Sequence, residues 1–120
     1  MILKFWFEEI DPSLWWSKND ELDQRIRERF AEIHAKAIRC ELFDWRKDAE
    51  GRLAEIVVLD QFSRNMFRDS PLSFANDSLA LALSQEAISV GADQDLSPIN
   101  GIPLSIGCFP ILLAHCPVCF

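Results

Sequence analysis

The sequence predicts an all-α domain, built as an array or bundle of antiparallel helices. Apolar residues recur at helical spacing through most of the chain before residue 96. No stretch alternates between polar and apolar residues as an exposed strand would. Short connections join the periodic segments, so consecutive helices are expected to pack as antiparallel neighbours. The 120 residues suffice for one domain.

The first two helices are defined by their ends. A short helix is expected over residues 2–10, and Asp11-Pro12 ends it because proline disfavours the helical conformation in the residue before it. A longer helix begins after a cap at Asn19 or Asp20. Steps of three and four residues mark its buried face, which is formed by Leu22, Ile26, Phe30, Ile33 and Ala37.

Two further helices are predicted before residue 96. One extends from about Asp48 to Asn65. The next begins at Ser70-Pro71, because serine is a good cap and proline fits the first helical position. We expect it to continue without a break to Gly91, where glycine can adopt the left-handed conformation that ends helices.

Residues 97–120 form a tail that differs from the helical domain predicted for residues 1–96. No residue from Leu96 to Phe120 is charged. A membrane helix is disfavoured because Pro110 and Pro117 interrupt the apolar run. A metal site is also disfavoured, because its candidate ligands crowd at the chain end: Cys108, His115, Cys116 and Cys119. We favour a truncated or frameshifted end over an ordinary buried segment.

Composition and the N-terminal segment indicate which binding partners and which cell compartment to expect. The net charge of -7 argues against binding to nucleic acid or to anionic membranes. The N-terminal segment does not read as a secretory signal, so a cytoplasmic location is expected. We expect no cofactor and no metal, because the sequence has no glycine-rich phosphate loop and no zinc-protease motif.

A dense polar segment on the third helix holds the candidate site. Asp60 follows Leu53 by seven residues and Ile56 by four, so it is expected on the buried face, paired with Arg64. Asp77 is expected to meet Arg64 or Arg68. The whole candidate set is Asp60, Gln61, Arg64, Asn65, Arg68 and Asp77. It forms either a ligand pocket or a buried structural network, and the sequence favours the network.

Other reactive residue types are expected to be structural. Ser63 has no evident histidine partner, and His34 is expected to be a partly exposed helix residue. Cys40 is expected to be a small buried apolar residue. The pair Trp15-Trp16 is expected to belong to the core, although an exposed pair would mark a partner groove.

Residues 51–68, with the string Leu-Asp-Gln-Phe-Ser-Arg-Asn, resemble the bacterial family known as domain of unknown function 924. The resemblance covers about residues 2–96. It implies an all-helical fold similar to tetratricopeptide-like arrays, with the six candidate polar residues in its characteristic positions. It implies no established activity. Family members continue with an aromatic-rich helix and a Met-His-Ser-Glu-like motif, which this chain lacks, and that departure supports a frameshift near residue 100.

Two functions remain open at this point. The first is a helical module that binds a protein or peptide, which the array resemblance and the incomplete catalytic set favour. The second is an enzyme that acts on a small anionic substrate through a pocket around Asp60, Arg64 and Asn65. Attachment to a membrane through residues 104–120 is a weaker third possibility.

Overall fold

The computed structural model describes residues 2–10 and 19–92, and all regular structure in these ranges is helical. The predicted all-α class is therefore confirmed. The likeness to tetratricopeptide arrays stays a prediction. Trp15-Trp16, the boundary at residue 96 and the whole charge-free tail lie outside the described residues.

Helix α1 consists of one α-helical turn, Ile2–Lys4, and one wider π-helical turn, Phe5–Glu9. Helix α2 is Asp20–Ile38. The Asn19 side chain caps α2 by accepting a hydrogen bond of 2.9 Å from the backbone N–H of Leu22. Four of the five residues predicted for its buried face are buried, and Ile33 is partly buried against the core.

A turn of 3-10 helix, Phe43–Lys47, lies against the start of the third helix. The contact is so close that a Cβ on Gly51 would lie 1.9 Å from the backbone oxygen of Trp45. Glycine is therefore required there. The turn also brings Arg46 to Glu55, which is fully buried, and the two side chains form paired hydrogen bonds of 2.8 and 2.9 Å.

Helix α3 has three consecutive parts: an α-helical segment, Ala49–Val57; a π-helical turn, Val58–Phe62; and a last α-helical turn, Ser63–Met66. The Asp48 side chain caps it through the backbone N–H of Gly51. The predicted extent is confirmed to within a residue at each end. The π-helical turn was not predicted, and such turns occur frequently at functional sites.

The core is built around the π-helical turn of α3. The ring of Phe62 stacks on Phe30 of α2 at 5.0 Å and meets the edges of Phe5 and Trp6 of α1 at 6.1 and 5.8 Å. All four rings are almost completely buried. These aromatic contacts hold α1 and α2 against the middle of α3.

The last predicted helix is interrupted, so the expectation of one continuous helix from Ser70 to Gly91 was wrong. Ser70 does act as a cap, but for a short 3-10 turn, Pro71–Ser73. Helix α4 begins only at Asp77 and is Asp77–Ser89. Gly91 ends the segment with φ 74°, as expected.

Helices α3 and α4 lie antiparallel. Arg52, near the start of α3, pairs with Glu86, near the end of α4. Arg64, near the end of α3, pairs with Asp77, at the start of α4. The two ion pairs therefore fix the helix pair at both ends, and they place the polar segment of α3 beside the turn that precedes α4.

Candidate functional site

Three charged side chains meet where α3 ends and α4 begins. The Arg64 guanidinium lies 3.1 Å from a carboxylate oxygen of Asp60, one helical turn earlier, and 3.3 Å from an oxygen of Asp77. It also donates to the backbone oxygen of Ser73 at 3.3 Å. Both carboxylates are at least nine-tenths buried. The predicted Asp60–Arg64 pair is confirmed, and of the two arginines that Asp77 was expected to meet, Arg64 is the one that it contacts.

Two acids share one base in this cluster, and the pKa of one of them, Asp60, is raised. Burial is the main cause that raises its pKa, because a charged carboxylate is poorly solvated inside the protein. The charge of Arg64 acts to lower this pKa, and the charge of Asp77 acts to raise it. A hydrogen bond of 3.0 Å from Gln61 also acts to lower it. The pKa of Asp60 is raised to about 7. Its charge can therefore change near neutral pH.

The hydrogen bonding of this cluster is incomplete. Among the buried side-chain atoms of residues 2–10 and 19–92, only Arg64 Nε and Asp77 Oδ1 have no hydrogen-bond partner. A buried donor and a buried acceptor without partners cost free energy. The cluster is therefore not the fully satisfied network that a purely structural role favours.

A second polar cluster contains the other two predicted residues. Arg68 binds Asp23 of α2 through two hydrogen bonds, 2.8 Å from Nε and 3.1 Å from Nη2. Asn65 donates to the same carboxylate at 2.9 Å. Burial acts to raise the pKa of Asp23, but the bonds from Arg68 and Asn65 outweigh it together, and the pKa is lowered. Asp23 therefore stays ionised and links α2 to the end of α3.

A groove opens beside the two clusters. Its volume is about 590 Å³, and its lining residues are Arg64, Arg68, Asp69, Ser70, Pro71, Ser73 and Phe74. The guanidinium of Arg64 lies 5.0 Å from the centre of the Phe74 ring, a cation–π contact. The groove thus combines two arginines that are fixed by ion pairs, Arg64 and Arg68, with one aromatic side chain, Phe74.

The structure overturns the expectations for three other residues. His34 is 3% exposed, not partly exposed, and its Nε2 lies 2.7 Å from the Ser63 hydroxyl oxygen. Ser63 therefore has the histidine partner that the sequence did not reveal. Cys40 is exposed, not buried, and it takes the left-handed conformation (φ 60°) where the chain leaves α2.

The His34–Ser63 pair does not form a reactive serine. The Ser63 hydroxyl donates to the Leu59 carbonyl at 2.6 Å, so its proton is already used, and His34 Nε2 donates to Ser63. Ser63 is also completely buried and out of reach of a substrate. Burial lowers the pKa of His34, which favours the neutral ring, and donation to Ser63 then places the ring proton on Nε2.

Sequence periodicity held a signal for two of the missed partners. Asp23 precedes Ile26 by three residues and Phe30 by seven, which places it on the buried face of α2. His34 follows Phe30 by four and lies on that face too. The pair of half-buried Arg46 and buried Glu55 carried no such signal, because α3 is buried on every side at Glu55.

The described residues offer no metal site: within 2–10 and 19–92, no three His, Cys, Asp or Glu side chains are grouped to hold an ion. The candidate ligands Cys108, His115, Cys116 and Cys119 lie outside these ranges. What the described clusters can do chemically is bind charged, hydrogen-bonding or aromatic groups through Arg64, Arg68 and Phe74.

Replacing Ser63 by alanine should destabilise the protein by about 1–3 kcal/mol, because the buried Nε2–H of His34 would lose its acceptor. Ser84 is the matched control. It is equally buried and also donates to a carbonyl one turn earlier, that of Ala80, but it has no histidine partner among its hydrogen bonds. Ser84→Ala should cost less. Equal losses in chemical denaturation would contradict the role of the His34 bond.

Replacing Asp60 by asparagine should change how stability depends on pH. A folded-state pKa near 7, above the ordinary 3.8, means that the contribution of Asp60 is complete below about pH 4 and is lost as the pH rises through 7. Asparagine does not titrate. Relative to the wild type, the Asp60→Asn protein should therefore gain stability as the pH rises from about 4 to about 7. Asp44→Asn, which replaces an exposed acid, is the control. If the stability of Asp60→Asn depends on pH in the same way as that of the wild type, the raised pKa of Asp60 is refuted.

Comparison with known proteins gives a family but no activity. The family described as bacterial protein of unknown function (DUF924) matches residues 2–110. The structure of a protein of unknown function from Agrobacterium tumefaciens is similar, with a TM-score of 0.80 and 36% sequence identity. The match covers 95% of this chain and 61% of the Agrobacterium protein, so the chain spans less than two thirds of that protein. A search of curated proteins gave no significant match. The chain belongs to the DUF924 family.

Proposed function

We propose that the protein is a binding module that holds an extended peptide segment of a partner protein in the groove beside Arg64 and Arg68. The observation that carries this proposal is the apolar surface at the groove. Phe74, which lines the groove, is 54% exposed, and Leu72, two residues earlier in the same connection but outside the groove lining, is 55% exposed. Large apolar side chains exposed beside a groove are typical of binding surfaces.

The charge balance also supports a peptide over a small polyanion. Arg64 is already shared by two carboxylates, and Arg68 is already paired with Asp23. Neither arginine brings surplus positive charge to the groove. Binding there therefore has to draw on apolar contact and hydrogen bonds, which a peptide offers along its length.

The Phe74 ring is positioned by Arg64 before a ligand binds. Arg64 lies over the Phe74 ring, and its guanidinium is fixed by Asp60, Asp77 and the Ser73 carbonyl. A side chain that is already ordered loses less entropy when a partner binds. The groove therefore presents Phe74 as an anchor for an apolar ligand residue.

We propose a cytoplasmic location for this binding, in keeping with the acidic net charge of -7. No helix within residues 2–10 and 19–92 is long and apolar enough to cross a membrane. Fractionation of cells that produce the chain would test the location, and recovery with membranes would contradict it.

A second candidate function is an enzyme that acts on a small anionic substrate, with Asp60 as a general base beside Arg64. Asn65, the third residue of the predicted pocket, binds Asp23 in the other cluster. The observation that favours an enzyme is the pKa of Asp60, which burial raises to about 7, a value suited to proton transfer at neutral pH. A panel of phosphate and carboxylate esters would test it. Hydrolysis by the wild type that Asp60→Asn abolishes would support the enzyme, and activity retained in that variant would exclude Asp60 as the base.

The peptide proposal predicts a dependence on Phe74. Selection of a random peptide library on the purified chain should enrich sequences with a shared apolar residue. Phe74→Ala should weaken their binding about tenfold or more, since truncating a central aromatic anchor costs about 2 kcal/mol or more and each 1.4 kcal/mol is about tenfold. Phe43→Ala is the control, because Phe43 is 60% exposed and does not line the groove.

Two outcomes would count against the peptide function. One is a selection that yields no enriched sequence. The other is enriched peptides that bind the Phe74→Ala and Phe43→Ala variants equally well, since that would place their binding outside the groove.

A further inference from the structure

One edge of the Arg68 guanidinium is hydrogen-bonded to Asp23. The Nε and Nη2 atoms bind the two oxygens of Asp23 at 2.8 and 3.1 Å. Asp23 is only 2% exposed and is fixed in turn by the hydrogen bond from Asn65. The position and the plane of the guanidinium are therefore set before any ligand binds.

The other edge of the same guanidinium has no partner among the described residues. A guanidinium carries five N–H donors, and Asp23 uses two of them. The remaining three belong to Nη1 and to the outer side of Nη2. The Arg68 side chain is 27% exposed and lines the groove. Donors that are fixed, unused and beside a groove are available to a ligand.

We propose that the groove binds a carboxylate of its ligand through this outer edge of Arg68. The inference rests on the proposed peptide function and names the group by which the peptide is recognised. The planar fork of arginine matches the two oxygens of a carboxylate, and the resulting paired bonds are strong and directional. Phe74, which lines the same groove, supplies the apolar contact beside it.

The surrounding charge selects a carboxylate over a phosphate group. The hydrogen bonds to Asp23 are the main cause that raises the pKa of the Arg68 guanidinium, and the charges of Asp20 and of Asp69, which lines the groove, raise it further. A carboxylate brings one negative charge into this partly acidic setting, whereas a phosphate monoester brings nearly two. Repulsion from the neighbouring acids is therefore smaller for the carboxylate.

The test titrates the full chain, labelled with nitrogen-15, with N-acetylphenylalanine and separately with its C-terminal amide. Both probes carry the aromatic ring, and only the first carries a carboxylate. The free acid should shift the Nε–H signal of Arg68 in a saturable way, and the amide should not. Equal shifts with both probes would overturn the proposal, as would saturation by inorganic phosphate at a lower concentration than by the acid.

Variants of two arginines make the test specific. Arg68→Lys keeps the charge but removes the fork, and binding of the acid should weaken about tenfold. Arg39→Lys is the matched control, because Arg39 binds Glu41 through the same two nitrogens, at 2.7 and 3.3 Å, but does not line the groove. Unchanged affinity in a folded Arg68→Lys protein would overturn the proposal. If that variant unfolds, the acid and amide comparison on the wild type decides.

The same experiments separate this inference from the peptide function. The selected peptides can be amidated at their C-terminus, and each of their Asp and Glu residues can be replaced. If their binding still depends on Phe74 but none of these changes weakens it, the peptide function is kept and the carboxylate site is overturned. Loss of binding on amidation alone would support the site and identify a terminal carboxylate, and loss on a side-chain replacement alone would support it and identify Asp or Glu. Acid binding to Arg68 without any selected peptide would support the site and refute the peptide function.

Discussion

Helix α3 is buried on every side from Leu53 to Ser63, and most of the described structure follows from that constraint. A polar side chain on such a helix cannot reach water and must find its partner inside the protein. Glu55 finds Arg46 from the preceding turn, and Ser63 finds His34 from α2. Each partner comes from a different element, so the polar residues of α3 fix how the surrounding elements pack.

The two carboxylate–arginine clusters at the end of α3 differ in balance. Asp23 accepts hydrogen bonds from Arg68 and from the Asn65 amide, and together these bonds outweigh burial and lower its pKa. Asp60 shares Arg64 with Asp77, and its pKa is raised, mainly by burial and further by the charge of Asp77. The first cluster is a stable link between α2 and α3. The second is held together less completely, since its charge changes near neutral pH and two of its buried atoms lack partners.

The groove exists because the chain stops being helical between α3 and α4. Asp69 takes the left-handed conformation (φ 65°), and Ser70 then caps a single 3-10 turn before α4 begins. This break leaves Phe74 exposed and turns it toward Arg64. A continuous helix from Ser70 would have arranged these residues differently. The interruption that sequence periodicity missed is thus the feature that gives the protein its candidate binding surface.

The sequence by itself determined what depends on local spacing. The all-α class, the extent of α3, the Asn19 and Ser70 caps, the left-handed end at Gly91 and the Asp60–Arg64 pair all involve residues within about one helical turn of each other. Periodicity is a property of one helix, so such features can be predicted from the pattern alone.

Only the tertiary structure decided the partners that lie far apart in the chain. Asn65 and Arg68 meet Asp23 across 42 and 45 residues, and His34 meets Ser63 across 29. Periodicity places Asp23 and His34 on the buried face of α2 but does not say which facing residue each of them meets. That choice depends on how the helices cross and on the shift in register that the π-helical turn introduces into α3.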